Sequence, residues 1–178
     1  VAFILGINML INRQWAMPNH NTFSIKPIKE LISKYITPNI IIIDPFSRNS
    51  PFKHCSITND LSEDFEADYH LEALDFIRLF NYQSVDLVLF DPPYSPRQIS
   101  ECYQSIGRQV HMKDTQSSFY TERKREVAEK VKVGGLVISF GWNSGGIGKT
   151  LGFSIEEILL VAHGGAHNDT ICTVERKL

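Results

Sequence analysis

Apolar positions along the chain fall into short dense runs separated by polar turns. The densest is Val85–Phe90, VDLVLF, with one charge among its residues. Such a run suits a strand buried on both faces. It stops at Asp91, where Pro92 and Pro93 prevent the ladder from continuing. Ile40–Ile43 is a β-branched strand, Lys53–Thr58 a second, and Phe65–Asp68 a short third. Gly134 and Gly135 turn the chain into another strand, Leu136–Phe140. Ile155–Val161 is strand-like, and Thr170–Val174 alternates as an antiparallel edge strand does.

Helical periodicity fills the intervals. Ile28, Leu31, Ile32, Tyr35 and Ile36 recur on one face, with Ser24 as the expected cap and Pro27 in the first turn. Leu71, Leu74, Ile77 and Phe80 suit a second helix, and Ile99–Met112 is weakly helical as far as Gly107. Glu122–Lys132 reads as a mostly solvated helix with a narrow seam of Val127, Ala128 and Val131. His111–Tyr120 is polar and without period, which predicts a mobile loop at the mouth of a site. Val1–Met17 is apolar, but its pattern does not separate strand from helix; its side chains are expected to cover the sheet. Alternation of strands and helices argues for an α/β sheet.

Open α/β sheets bind ligands beyond the carboxyl ends of their strands. Asp91, Pro92, Pro93 and Tyr94 are expected there. The carboxylate and the Pro92 carbonyl accept hydrogen bonds, the prolines stiffen the turn, and the tyrosine offers a flat face to a planar ligand. A rigid surface turn is the ordinary alternative, disfavoured by its position directly after a buried strand.

The chain has 178 residues, 43% of them hydrophobic and 21% charged, which fits one globular unit with a sizeable core. Its formal net charge of -2 advertises no global affinity for nucleic acid, although a local basic patch remains compatible. Cys55, Cys102 and Cys172 match neither metal-ligand spacing nor a disulfide framework, so reduced thiols and an intracellular setting are expected. Val1–Ile11 is too short to span a bilayer and lacks the marks of a signal peptide. The segment 141–150 approaches a phosphate-binding Gly-x-x-x-x-Gly-Lys-Thr loop, but Asn143 stands where the first glycine belongs, and Gly152 argues against a following helix. A flexible loop beside a cleft is the better reading.

Asp91-Pro92-Pro93-Tyr94 after its hydrophobic strand resembles the catalytic motif of the DNA amino-methyltransferases, and over most of its length the chain is most similar to small phage and prophage adenine-specific members. The resemblance implies a seven-stranded Rossmann-like S-adenosylmethionine-dependent methyltransferase fold, mostly parallel with an antiparallel last strand. It implies a single methyltransferase domain over 1–178 with no separate target-recognition domain, cytoplasmic in a bacterial cell or a phage-infected host. The cofactor would be S-adenosyl-L-methionine. The substrate would be DNA containing a flipped adenine; a homodimer is compatible and no membrane is involved. No metal is needed.

Residue by residue, the resemblance places Phe23, Ile25, Lys26 and Pro27 of the Lys-Pro helix entry close to the cofactor. Asp44, Pro45, Phe46 and Ser47 correspond to the methionine-binding turn. Arg48, Asn49 and Ser50 stand where the family has glycines, so the turn needs another way to reach its geometry. Asn59 and Asp60 close the second strand, and a carboxylate there can bind ribose hydroxyls. Asp68 or Glu72 would meet the cofactor's adenine amine, Asp68 being favoured by its place at a strand end. Asp91, Pro92, Pro93 and Tyr94 would be catalytic. Phe119 or Tyr120 and, in the final hairpin, His167 and Asn168 are candidate contacts to the base, while Arg97, Arg123, Lys124, Arg125 and Lys149 are candidates for phosphates. A cofactor- or DNA-binding relative with little catalysis, and an N4-cytosine methyltransferase, are the competing readings.

Overall fold

The computed structural model describes residues 9–93, 95–105, 107, 117–165 and 167–178, except the side chains of Pro96, Cys102, Ser105 and residues 117–119. Among these, seven strands form one sheet: β1 (Leu10–Trp15), β2 (Ile42–Asp44), β3 (Ile57–Thr58), β4 (Val85–Phe90), β5 (Val131–Gly141), β6 (Phe153–Ala162) and β7 (Thr170–Lys177). Their order is β1-β6-β7-β5-β4-β2-β3. All are parallel except β7, which runs antiparallel to both β5 and β6. The helices are α1 (Lys26–Tyr35), α2 (Ala73–Arg78), α3 (Pro96–Ser105) and α4 (Ser117–Lys130).

The core follows from strand alternation. On β4, Leu87 and Leu89 face one cluster with Ile28, Leu31 and Ile32 of α1. Val88 and Phe90 face the other, with Phe76 and Ile77 of α2 and Val127 of α4. Both faces are covered, which is why β4 reads as an unbroken apolar run. The α1 helix starts with Pro27 in its first turn, but Ile25 occupies the cap position without a side-chain bond, and the expected cap from Ser24 is not made. Thr22–Ser24 instead forms a short 3-10 turn.

Three expectations are corrected. First, residues 1–8 lie outside the described residues, and the described part of the N-terminal segment joins the sheet rather than covering it: β1 is at the edge of the described sheet, with Ile11 at 56% and Trp15 at 64% exposure. Second, β7 lies inside the sheet between β5 and β6, so its alternation reflects a two-sided burial with polar residues on one face rather than an edge. Third, Phe65–Asp68 does not form a strand; beyond the short β3 there is a single parallel bridge, Asn59 to Tyr69. The seven-stranded sheet with an antiparallel last strand is present, and β1 is one of its seven strands.

Candidate functional site

The carboxyl ends of β2, β3 and β4 open into a cavity of about 660 Å³. Its near wall is the turn after β2. Asp44 ends that strand fully buried, and its Oδ1 accepts the Phe46 amide at 3.3 Å. Burial, with smaller contributions from the Asp91 and Asp60 charges, pushes its carboxyl up to about 8. Asp44 lies beneath the turn and does not line the cavity, whereas Pro45, Phe46 and Ser47 do.

The missing glycines are explained by Arg48. It adopts a φ of 42°, the left-handed conformation that glycine usually supplies. Its amide donates to Asp60 Oδ2 at 2.9 Å, and its guanidinium lies 5.2 Å from the centre of the Phe65 ring. Asp60 Oδ1 accepts the Ser62 amide at 2.9 Å, so one carboxylate ties the turns after β2 and β3 together. Asn59 lines the cavity too, but its side chain is engaged in the scaffold: it donates to the carbonyls of Pro45 and Leu71 and accepts the Leu71 amide.

Phe23 and Ile25 line the cavity, and Phe23 packs against Phe140 with ring centres 4.8 Å apart. Lys26 points to solvent beside Glu30, and Pro27 is buried, so neither lines it. Asp68 is also elsewhere: its carboxylate accepts both the amide and the hydroxyl of Thr58, at 2.8 and 2.9 Å. Because 65–68 forms no strand, its chain end is not a ligand-facing strand end. Of the two candidate acids it is Glu72 that lines the cavity; it accepts the Tyr103 hydroxyl at 2.9 Å and lies 3.9 Å from Arg123 Nη2.

At the end of β4, Asp91, Pro92 and Pro93 line the same cavity. Tyr94 lies outside the described residues. Phe46 and Phe90 meet edge to face at 5.8 Å, which joins the β2 turn to the base of this one. The Tyr120 hydroxyl, on α4, donates to the Pro93 carbonyl. Of the segment 111–120, residues 111–116 and the Phe119 side chain are outside the described residues, and Ser117–Tyr120 belongs to α4 rather than to a loop. The opposite wall includes Trp142, His163, His167, Asn168 and Thr170. Sequence reasoning identified His167 and Asn168 but missed His163 and Thr170, whose only local signal is their place at the facing ends of β6 and β7 around Gly164-Gly165.

The basic candidates separate. Arg123 is buried at 7% exposure and lines the cavity rather than an outer edge, and Arg97 is exposed and paired with Glu101. The loop that approaches a phosphate-binding motif directs its amides inward: Ile147 and Gly148 donate to the Glu175 carboxylate at 2.5 and 2.9 Å. Among the described residues no group of acidic, histidine or cysteine side chains is arranged to hold a metal, and no helix is long and apolar enough to cross a membrane.

The sequence matches no protein-family model and no curated protein. Several solved structures share the fold. TrmN from Thermus thermophilus superposes with a TM-score of 0.58 at 16% identity, covering 86% of this chain and 49% of that one. The 1,6-didemethyltoxoflavin-N1-methyltransferase of Burkholderia thailandensis, solved with S-adenosylhomocysteine, gives 0.57 at 10% identity over 85% and 77% of the two chains. A SAM-dependent methyltransferase from Methanosarcina mazei gives 0.54 at 9% identity over 83% and 97%. This chain therefore spans about half the length of TrmN, and its fold is the Rossmann-like fold of S-adenosylmethionine-dependent methyltransferases.

Proposed function

We propose that the chain is an S-adenosylmethionine-dependent methyltransferase whose acceptor is the exocyclic N6 amine of adenine in DNA. The observation that carries this reading is the opening of the Asp91-Pro92-Pro93 turn into the same cavity as the Phe46–Ser47 turn and Asp60. A donor site and an acceptor site for a group transfer must share one cavity, and the shared opening of these strand ends supports the reading.

The residues present suit the cofactor. Ser47 lines the cavity, is almost fully buried, and has a hydroxyl without a hydrogen-bond partner among the described residues. Asp60, Glu72, Asp91 and Glu101 line the same walls against Arg48 and Arg123, so the acids outnumber the arginines in the cavity lining, which suits a cationic ligand. Asp60 and Ser47, with the apolar faces of Phe23, Ile25 and Phe46, would hold it. When bound, S-adenosylmethionine supplies a sulfonium methyl group open to attack by a nucleophile.

The chain's own contribution is positioning and electrostatics. The lone pair of an aromatic amine is delocalised into its ring, so direct transfer needs alignment and stabilisation of the positive charge that develops on nitrogen. Asp91 and the Pro92 carbonyl accept the amine hydrogens and strengthen those contacts as the charge grows. The family motif assigns to Tyr94, which follows in the sequence, the role of stacking on the base. A base inside a duplex is out of reach, so the adenine leaves the stack to enter. The Tyr120–Pro93 bond ties α4 to this turn and holds the acceptors in place. No residue need become covalently attached to the base.

Incubation with labelled S-adenosylmethionine and unmethylated bacterial DNA, followed by nucleoside analysis, tests the reading. Labelled N6-methyladenine is the expected product. Label in N4-methylcytosine would move the assignment to cytosine, and saturable cofactor binding without label in DNA would favour another acceptor or a non-catalytic relative.

A further inference from the structure

Trp142 leaves β5 beside the acceptor turn. The parallel pairing of β4 and β5 aligns Phe90 with Ser139, so Pro93 and Trp142 each stand three residues beyond an aligned pair. Both line the cavity. The indole is nevertheless 44% exposed, which puts it where the cavity opens to solvent. Trp15, the other tryptophan of the chain, is exposed as well, but it lies on β1 and does not line the cavity.

The backbone around Trp142 is held in place. Asn143 Oδ1 accepts the Gly145 amide at 2.9 Å, which closes a turn directly after the tryptophan. The buried Glu175 carboxylate accepts the Ile147 and Gly148 amides and anchors the far end of the loop to β7. A half-exposed indole on an anchored loop offers flat apolar area at a small ordering cost. The wall that Trp142 forms with His163, His167, Asn168 and Thr170 has no carboxylate among its described lining residues, so a polyanionic strand meets no repulsion along it.

We propose that Trp142 is a stacking platform for a nucleobase of the substrate strand next to the base that accepts the methyl group. The proposal rests on the nucleic-acid reading above. Drawing one base into the cavity unstacks its neighbours. An aromatic face at the mouth replaces part of that lost stacking, and it does so for any base, because every base has a π-face. Trp142 thus adds affinity for the strand without reading the flanking sequence. It is a binding residue at the mouth, separate from the acceptor groups on the β4 turn.

The test uses Trp15→Phe as its parent protein, which leaves Trp142 as the sole tryptophan. End-labelled single-stranded oligonucleotides carrying one adenine are titrated in the presence of S-adenosylhomocysteine, with binding followed by anisotropy of the label and stacking by tryptophan emission. Binding should quench the emission. An abasic site at one of the two positions flanking the adenine should weaken binding roughly fivefold to a hundredfold, the worth of one base–aromatic stack. Trp142→Ala should lose a similar factor on the intact strand and become insensitive to the abasic site, whereas Trp142→Phe should retain most of the affinity and the sensitivity. Equal sensitivity to abasic sites in the parent and in folded Trp142→Ala would overturn the proposal while leaving the nucleic-acid reading intact. So would unquenched emission at saturation. Failure of the parent to bind any oligonucleotide would overturn the nucleic-acid reading together with it.

Discussion

The Arg48 amide donates to Asp60 Oδ2 at 2.9 Å, and this bond closes a turn that has no glycine to make it easy. Arg48 holds a φ of 42°, and the second Asp60 oxygen holds Ser62. One carboxylate therefore shapes two loops at the cavity, and a ribose-binding role for it would be added to that structural one.

Asp60→Asn keeps the shape but replaces one acceptor oxygen with an amide donor, which faces an N–H. Loss of a charged hydrogen bond costs about 1.5–3 kcal/mol. Thermal denaturation should show a lower Tm, and calorimetry should show weaker binding of S-adenosylhomocysteine. A variant with wild-type Tm and affinity would show that the turn does not depend on this carboxylate.

Asp44 makes stability depend on pH. Its carboxyl is raised from 3.8 to about 8 by burial. Between those values the folded chain keeps a proton that the unfolded chain has released, so stability falls as pH rises through the window. Asp44→Asn removes the titration while retaining an acceptor for the Phe46 amide. The Tm difference, variant minus wild type, should therefore grow from about pH 5 to about pH 9. A difference independent of pH would show that Asp44 ionises freely in the folded protein.

Asp91→Asn should separate chemistry from cofactor binding. The substitution removes an anionic acceptor whose contact strengthens as charge develops on the attacked nitrogen. Single-turnover methyl transfer should fall by about a hundredfold, while S-adenosylhomocysteine affinity stays close to wild type. Equal losses in both would place Asp91 in cofactor binding instead.

Gly146 tests the loop after β5. Its φ is +46°, and a Cβ there would stand 2.0 Å from Glu175 Oε2, inside the site where Glu175 holds Ile147 and Gly148. Gly146→Ala must displace that buried carboxylate or shift the loop. A loss of about 1–3 kcal/mol is expected in denaturant titration. Wild-type stability would mean that the Glu175 side chain swings away without cost.

Much of this protein is determined locally. Val85–Phe90 is a central strand because nearly every side chain in it is apolar, and the prolines after Asp91 can only end it. The buried face of α1 follows from Ile28, Leu31 and Ile32 at helical spacing, and the carboxyl-end position of Asp91 follows from the strand. Tertiary structure decided what depends on distant partners. Leu10–Trp15 has no period that marks it as an edge; its place comes from pairing with β6. Thr170–Val174 alternates in either an edge or an interior strand, and β5 on its other side settles which. Asp68 and Glu72 are equally acidic in sequence, but Thr58 captures the first and the second reaches the cavity wall. The Ala16 carbonyl meets the His163 ring, 147 residues away in the chain. Periodicity reports which side of an element is buried; only the packed sheet determines which polar atoms meet across it, because a hydrogen bond depends on position in space rather than on separation along the chain.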